Sequence, residues 1–188
     1  MMKRYLLLFV LSFSVVMASA SGSVKKNNLK TTVLSYITGS AKITYERALF
    51  EGQSVEFTAG RIGVGGDAKH NNPKGVTTRV AYKWMFPFSY KKNNPLDGFY
   101  LKPEFAYSRY SHEHTVENAL NQKTIWRTAL MACVGWQCVK DWFVFDFYIG
   151  AGGAVGDKCP DNYYHGFIGI NPESNTALTF GLKLGFAI

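Results

Sequence analysis

Alternation along the final dozen residues is the feature that most restricts this fold. In ALTFGLKLGFAI, residues 177–188, Leu178, Phe180, Leu182, Leu184, Phe186 and Ile188 are large and apolar. Ala177, Thr179, Gly181, Lys183, Gly185 and Ala187 between them are small or polar. A period of two is the signature of a β-strand with one greasy face. A soluble sheet buries that face and turns the other to water. Here the second face is too small and too sparsely charged to be a good water-facing surface. The fold therefore turns on which side of the strand is inside.

The same pattern runs through most of the chain. Residues 29–38, 41–49, 54–64, 76–86, 99–110, 124–137 and 142–155 read as seven earlier strands, and no segment makes a convincing helix. Val80, Tyr82 and Trp84 alternate with Arg79, Ala81 and Lys83; Phe143, Phe145 and Phe147 alternate with Val144, Asp146 and Tyr148. Only the first strand, LKTTVLSYIT, does not declare its faces. A soluble β-sandwich or lipocalin-like barrel binding a small apolar ligand would bury the aromatics. Two features oppose it. Trp84, Phe86, Trp126, Trp136 and Phe143 gather at strand ends, and the opposite face carries Gly and Ala where a soluble surface would carry Lys, Glu and Thr. Both follow if the sides are exchanged, with large residues toward lipid, aromatics at headgroup level, and small and charged residues in a narrow interior. The expected fold class is all-β, an eight-stranded antiparallel up-and-down transmembrane β-barrel.

The beginning of the chain agrees. Lys3 and Arg4 precede an apolar run over 5–16, which ends in Ala18-Ser19-Ala20. These are the parts of a secretory signal peptide, read here as 1–20, of the kind exported by the Sec route. The run is shorter than the roughly 20 residues a membrane helix needs. Residues 21–28 read as a linker and 29–188 as the barrel. The formal charge of +8 is scattered rather than blocked, and no nucleic-acid motif is present. Later apolar runs are interrupted by residues such as Lys83, Arg127 and Asp146, so hydropathy alone would miss a membrane barrel.

Loop lengths set a direction. Bacterial barrels keep both termini in the periplasm, with short periplasmic turns and long external loops. The stretches 65–75, 111–123 and 156–174 are long and polar, as external loops should be. Gly39-Ser40 is short for an external loop, and SYKKNNPLDG is long for a periplasmic turn.

With YITGSAKITYERAL and SVEFTAG near the start, LKPEFAYSRY in the middle and TFGLKLGF at the end, the chain resembles the small eight-stranded outer-membrane barrels of Gram-negative bacteria. These form the broad OmpA-like group, whose members are mostly of unknown function. The resemblance implies a location in the cell outer membrane and contact with outer-membrane lipid and lipopolysaccharide. It also implies insertion by the barrel-assembly machinery. Such barrels commonly end on an aromatic residue that this machinery reads; here Phe186, two residues before the end, is expected to serve.

Candidate chemistry is sparse. GAGGAVG (150–156) lacks the G-x-G-x-x-G spacing of a dinucleotide loop, and its glycines are better read as room for large neighbours. SHEHT offers Ser111, His112 and Glu113 as the parts of a lipid-modifying hydrolase at the external rim, and His112 and His114 as metal ligands. The His-x-Ser pattern of lipid A deacylases is absent, and a solvated loop is the simpler reading. The expectation is a non-enzyme without cofactor or metal. It has a structural or surface-binding role, with any unknown extracellular ligand meeting Lys69, His70, His112, His114, Tyr163, Tyr164 and His165. A monomer is expected.

The interior should hold Arg79, Lys83, Lys102, Glu104, Arg127, Asp146 and Lys183, with Tyr148, leaving no open pore. Counting about the turn near residue 91 sets Arg79 opposite Glu104 and Lys83 opposite Tyr100; counting about 139–140 sets Cys133 opposite Asp146. Cys133 and Cys138 lie about 16 Å apart along one strand, beyond disulfide reach, and Cys159 falls in the last external loop. Three free thiols are expected.

Overall fold

The computed structural model describes residues 25–65, 73–89, 95–116, 119–157, 168–171 and 175–188. Strand β1 (Asn27–Thr32) gives way to a short helix, α1 (Val33–Ile37). Next come β2 (Ser40–Phe50), β3 (Gln53–Ile62), β4 (Lys74–Met85), β5 (Gly98–Val116), β6 (Ala119–Lys140) and β7 (Phe143–Gly156). A short strand, β8 (Ile168–Asn171), precedes the closing strand β9 (Thr176–Ala187). The tight turns use residues suited to positive φ: Gly52 at 69° after β2 and Asp141 at 56° after β6.

Every neighbouring pair is antiparallel, and β1 also pairs with β9, which closes the sheet into a barrel. One row of partners runs from Asn28 through Glu46, Glu56, Ala81, Glu104, Met131 and Gly152 to Ala177, while Asn28 itself lies against Ala187. A full circuit is thus displaced by ten residues along β9 (187 − 177). Eight wall strands with that stagger tilt about 40° and enclose a cylinder of backbone radius about 8 Å. That bore holds side chains and little else.

The question posed by the closing strand is answered by exposure. Leu130 is 66% exposed and Ile43 59%, whereas Lys30 is 1% and Lys83 0% exposed. Large apolar side chains face out from every long strand, and the small and charged set faces in. The small residues are small because others need the space. A Cβ on Gly135 would stand 2.4 Å from the Tyr100 ring, and one on Gly181 would stand 2.5 Å from the Tyr148 ring.

Four expectations are corrected. The first strand does not run to residue 38: it stops at Thr32, because α1 follows within the wall. Ser35 of this helix is buried while Val33, Tyr36 and Ile37 are exposed, which explains why LKTTVLSYIT shows no period of two. Gly39-Ser40 is accordingly not a hairpin loop between two strands: Gly39 lies in the link from α1, and Ser40 opens β2. Residues 111–123 are not a loop: β5 and β6 continue as one long hairpin, paired out to Val116 and Ala119. The last loop also holds β8, paired with the start of β9. Finally, the registers slip. Arg79 lies opposite Ala106, Lys83 falls in line with Lys102, and Cys133 lies opposite Gly150 rather than Asp146.

The long turn between β4 and β5 has a structural reason. Its Leu96 is fully buried among Val139, Val144 and Ala187, at the end of the barrel where β1 starts and β9 stops. Gln137 Nε2 holds it by donating to the Leu96 carbonyl at 2.7 Å. We call this the terminal end, and the end reached by the β5–β6 hairpin the far end.

Candidate functional site

Inward positions of all eight wall strands converge on a buried network of charges. Lys30 Nζ donates to Glu46 Oε2 at 2.8 Å, Asp146 Oδ2 at 2.7 Å and Gln137 Oε1 at 2.9 Å, and also to Glu56. Lys83 Nζ reaches Asp146 at 2.8 Å, Glu56 at 3.1 Å and Glu46 at 3.3 Å. Tyr100 donates to the other Asp146 oxygen at 2.5 Å, and its ring lies 4.1 Å beneath Lys83 Nζ. A step further along the bore, Glu104 accepts from Arg79 at 2.9 Å and Lys102 at 2.7 Å. Glu56 joins the two levels, accepting from Lys183 at 2.9 Å and Lys102 at 3.4 Å. Lys102 Nζ also sits 3.9 Å over the Tyr148 ring.

Such density of charge is tolerable only because each carboxylate meets several cations and hydrogen-bond donors; a lone buried ion would be strongly destabilising. Arg79 reaches Glu104 although the two are not in register: Glu104 lies opposite Ala81, two residues away, and the long guanidinium spans the diagonal. The lysine at 183 is drawn in by the same closure, since Lys183 pairs with both Thr32 and Asp146 in the sheet. Arg79, Lys83, Lys102, Glu104, Asp146 and Lys183 are therefore brought together. Arg127 is buried as well but lies apart from them.

Sequence reasoning left Lys30, Lys42, Glu46, Glu56 and Gln137 out of this network. For Lys42, Glu46 and Glu56 the alternation was already in view; for Lys30 the helix that follows hid it. Among the described residues the buried cations number seven (Lys30, Lys42, Arg79, Lys83, Lys102, Arg127, Lys183) and the buried carboxylates five (Glu46, Glu56, Asp97, Glu104, Asp146). The network can neutralise, brace and exclude water. Its carboxylates are held by cations away from solvent. Cys133 is buried beside Gly150, and Cys138 is half-buried; both are free thiols, and Cys159 lies outside the described residues.

At the far end, Ser111 and Glu113 belong to β5 rather than to a loop. Ser111 Oγ donates to the Lys74 carbonyl and accepts from Gln122 Nε2, both at 3.3 Å. Its hydroxyl is thus engaged in bridging β4, β5 and β6. The side chains of His112 and His114 lie outside the described residues, as do Lys69, His70, Tyr163, Tyr164 and His165. Among the described residues no group of three or more His, Cys, Asp or Glu is placed to hold a metal ion. No helix there is long and apolar enough to cross a membrane.

No family model and no curated protein matches this chain. Among solved structures it is similar to the N-terminal β-barrel domain of Pseudomonas aeruginosa OprF. The two share 11% identity over 89% of this chain and all of that domain, with a TM-score of 0.47.

Proposed function

We propose that this chain is a structural barrel of the cell outer membrane, closed to ion flow and not an enzyme. Its far end faces outward as the surface for any binding partner. The observation that carries the reading is the inversion of sides: an apolar belt on every long strand surrounds a bore packed with paired charge. In water that belt would leave many large side chains solvated; in a bilayer it meets acyl chains and lipopolysaccharide. The aromatic cluster of Trp142, Phe143 and Phe186, with the first two rings edge-on at 6.0 Å and Trp142 stacked on Phe186 at 5.4 Å, suits the headgroup level at the terminal end. Export would use residues 1–20, and insertion the barrel-assembly machinery.

Fractionation of cells expressing the full chain tests this. The expected result is recovery with the outer membrane, a folded band that migrates differently before and after boiling, and protease cleavage within 156–174 on intact cells. Recovery in the soluble periplasmic fraction without detergent would overturn it.

A further inference from the structure

Among the described residues, the charge network leaves one buried cation, Arg127, outside it. Arg127 faces inward on β6 and is 9% exposed. Its Nε has no hydrogen-bond partner, and among the described residues no carboxylate lies within ion-pair distance of its guanidinium. The buried carboxylates are engaged elsewhere: Glu46, Glu56, Glu104 and Asp146 with lysines and Arg79, and Asp97 with the backbone N–H of Val139. The nearest of them along the wall, Glu104, lies opposite Met131, four residues from Arg127, or about 13 Å of strand. Asp157 is closer, but its carboxylate accepts from the Trp126 backbone N–H at 3.2 Å and makes no ion pair with Arg127.

The inward positions beside Arg127 are small and uncharged, and the Thr77 hydroxyl there donates to the Tyr107 carbonyl at 3.3 Å. Ser108 lies directly opposite on β5, and its hydroxyl donates to Thr77 at 2.9 Å. Gly156 lies opposite on β7, where a Cβ would stand 3.2 Å from the Arg127 stem. A buried guanidinium without a counter-charge is strongly destabilising, and a fork of N–H donors matches a phosphate oxygen pair in geometry. We propose that the Arg127 guanidinium, beside Ser108 and Thr77, forms an anion site near the far end of the bore that takes a phosphate group. The carboxylate missing among the described residues is the counter-charge the ligand brings.

The test titrates the refolded protein in nonionic detergent with inorganic phosphate, and separately with phosphatidate micelles, at constant ionic strength. Wild type should bind at least one probe saturably. Arg127→Gln and Arg127→Met should weaken that binding about tenfold or more, while Lys123→Gln, an exposed charge nearby on β6, should leave it within about twofold. Saturation by inorganic phosphate alone identifies a free anion; saturation by phosphatidate alone identifies a lipid headgroup. Arg127→Lys, which keeps the charge and loses the fork, serves where the neutral variants do not fold, and it too should bind more weakly. Wild-type binding of neither probe, equal binding by the folded Arg127 variants, or an equal loss in Lys123→Gln would overturn the site.

Discussion

Glu104 and Glu56 show what a single carboxylate does in a bore this narrow. Glu104 answers Arg79 and Lys102, and Glu56 answers Lys30, Lys83, Lys102 and Lys183. Removing one partner of a buried ion pair leaves the other charge uncompensated, at a cost of about 3–5 kcal/mol. Glu104→Gln should therefore lower the stability of the refolded barrel by that amount, and Glu56→Gln by more. Replacing Arg79 by Met together with Glu104 by Leu should restore part of the loss, the remainder being the weakened hold on Lys102. Urea titration in lipid vesicles reads all three, and coincident midpoints for the parent and Glu104→Gln would remove the pair from the account. The contact itself was foreseen from strand counting, but for an imprecise reason. The pleat fixes which residues share a face, whereas turn length fixes the register. The turn between β4 and β5 spends its length on seating Leu96, which no local pattern announces.

At the level of elements, the strand-to-helix break in the first wall strand has the largest consequences. β1 partners β9 from Asn28–Ala187 to Thr32–Lys183, and β8 partners it from Ile168–Thr179 to Asn171–Thr176. Between them β9 is bordered by α1, whose backbone bonds run along its own axis and cannot extend a sheet ladder. Even-numbered amides of β9 point toward β1, as Ile188 N–H does toward the Asn27 carbonyl, so exchange at Leu182, which faces α1, is expected to outpace that at Leu184, which faces Thr31. Equal protection of Leu182 and Leu184 in a native-state exchange measurement would show the wall to be continuous there. The seven strands β2–β7 and β9 were legible because each obeys a period of two over ten or more residues. α1 was not: five residues with neither a side-chain cap nor charges at their ends carry no helix signal of their own. The outer parts of β5 and β6 were hidden differently, since polar residues such as Ser111 and Lys123 lie beyond the apolar belt, where a strand needs no greasy face. The charged interior was legible in kind, through alternation; its membership required Lys30, whose strand was obscured by the helix after it.

For the molecule as a whole, the decisive quantity is the width set by eight strands and a ten-residue stagger. Lysine stems, Tyr100 and Tyr148 occupy the middle of the bore, and Leu96 of the β4–β5 turn is buried at the terminal end. Purified protein in planar bilayers should show no steady conductance of a single size, because eight strands leave a bore only wide enough for side chains. Reproducible unit steps from a monomeric preparation would contradict that. Closure has another side. Asn27 and Ile188 exchange two backbone hydrogen bonds, at 3.2 and 2.8 Å, so the first and last strands end beside each other. The break between the start of β1 and the end of β9 is thus a covalent accident in an otherwise endless ring of strands. A chain spliced there and reopened between β6 and β7, at Asp141, keeps every neighbour it had. Such a circular permutant inherits the same native wall while changing only the order in which a ribosome delivers its parts.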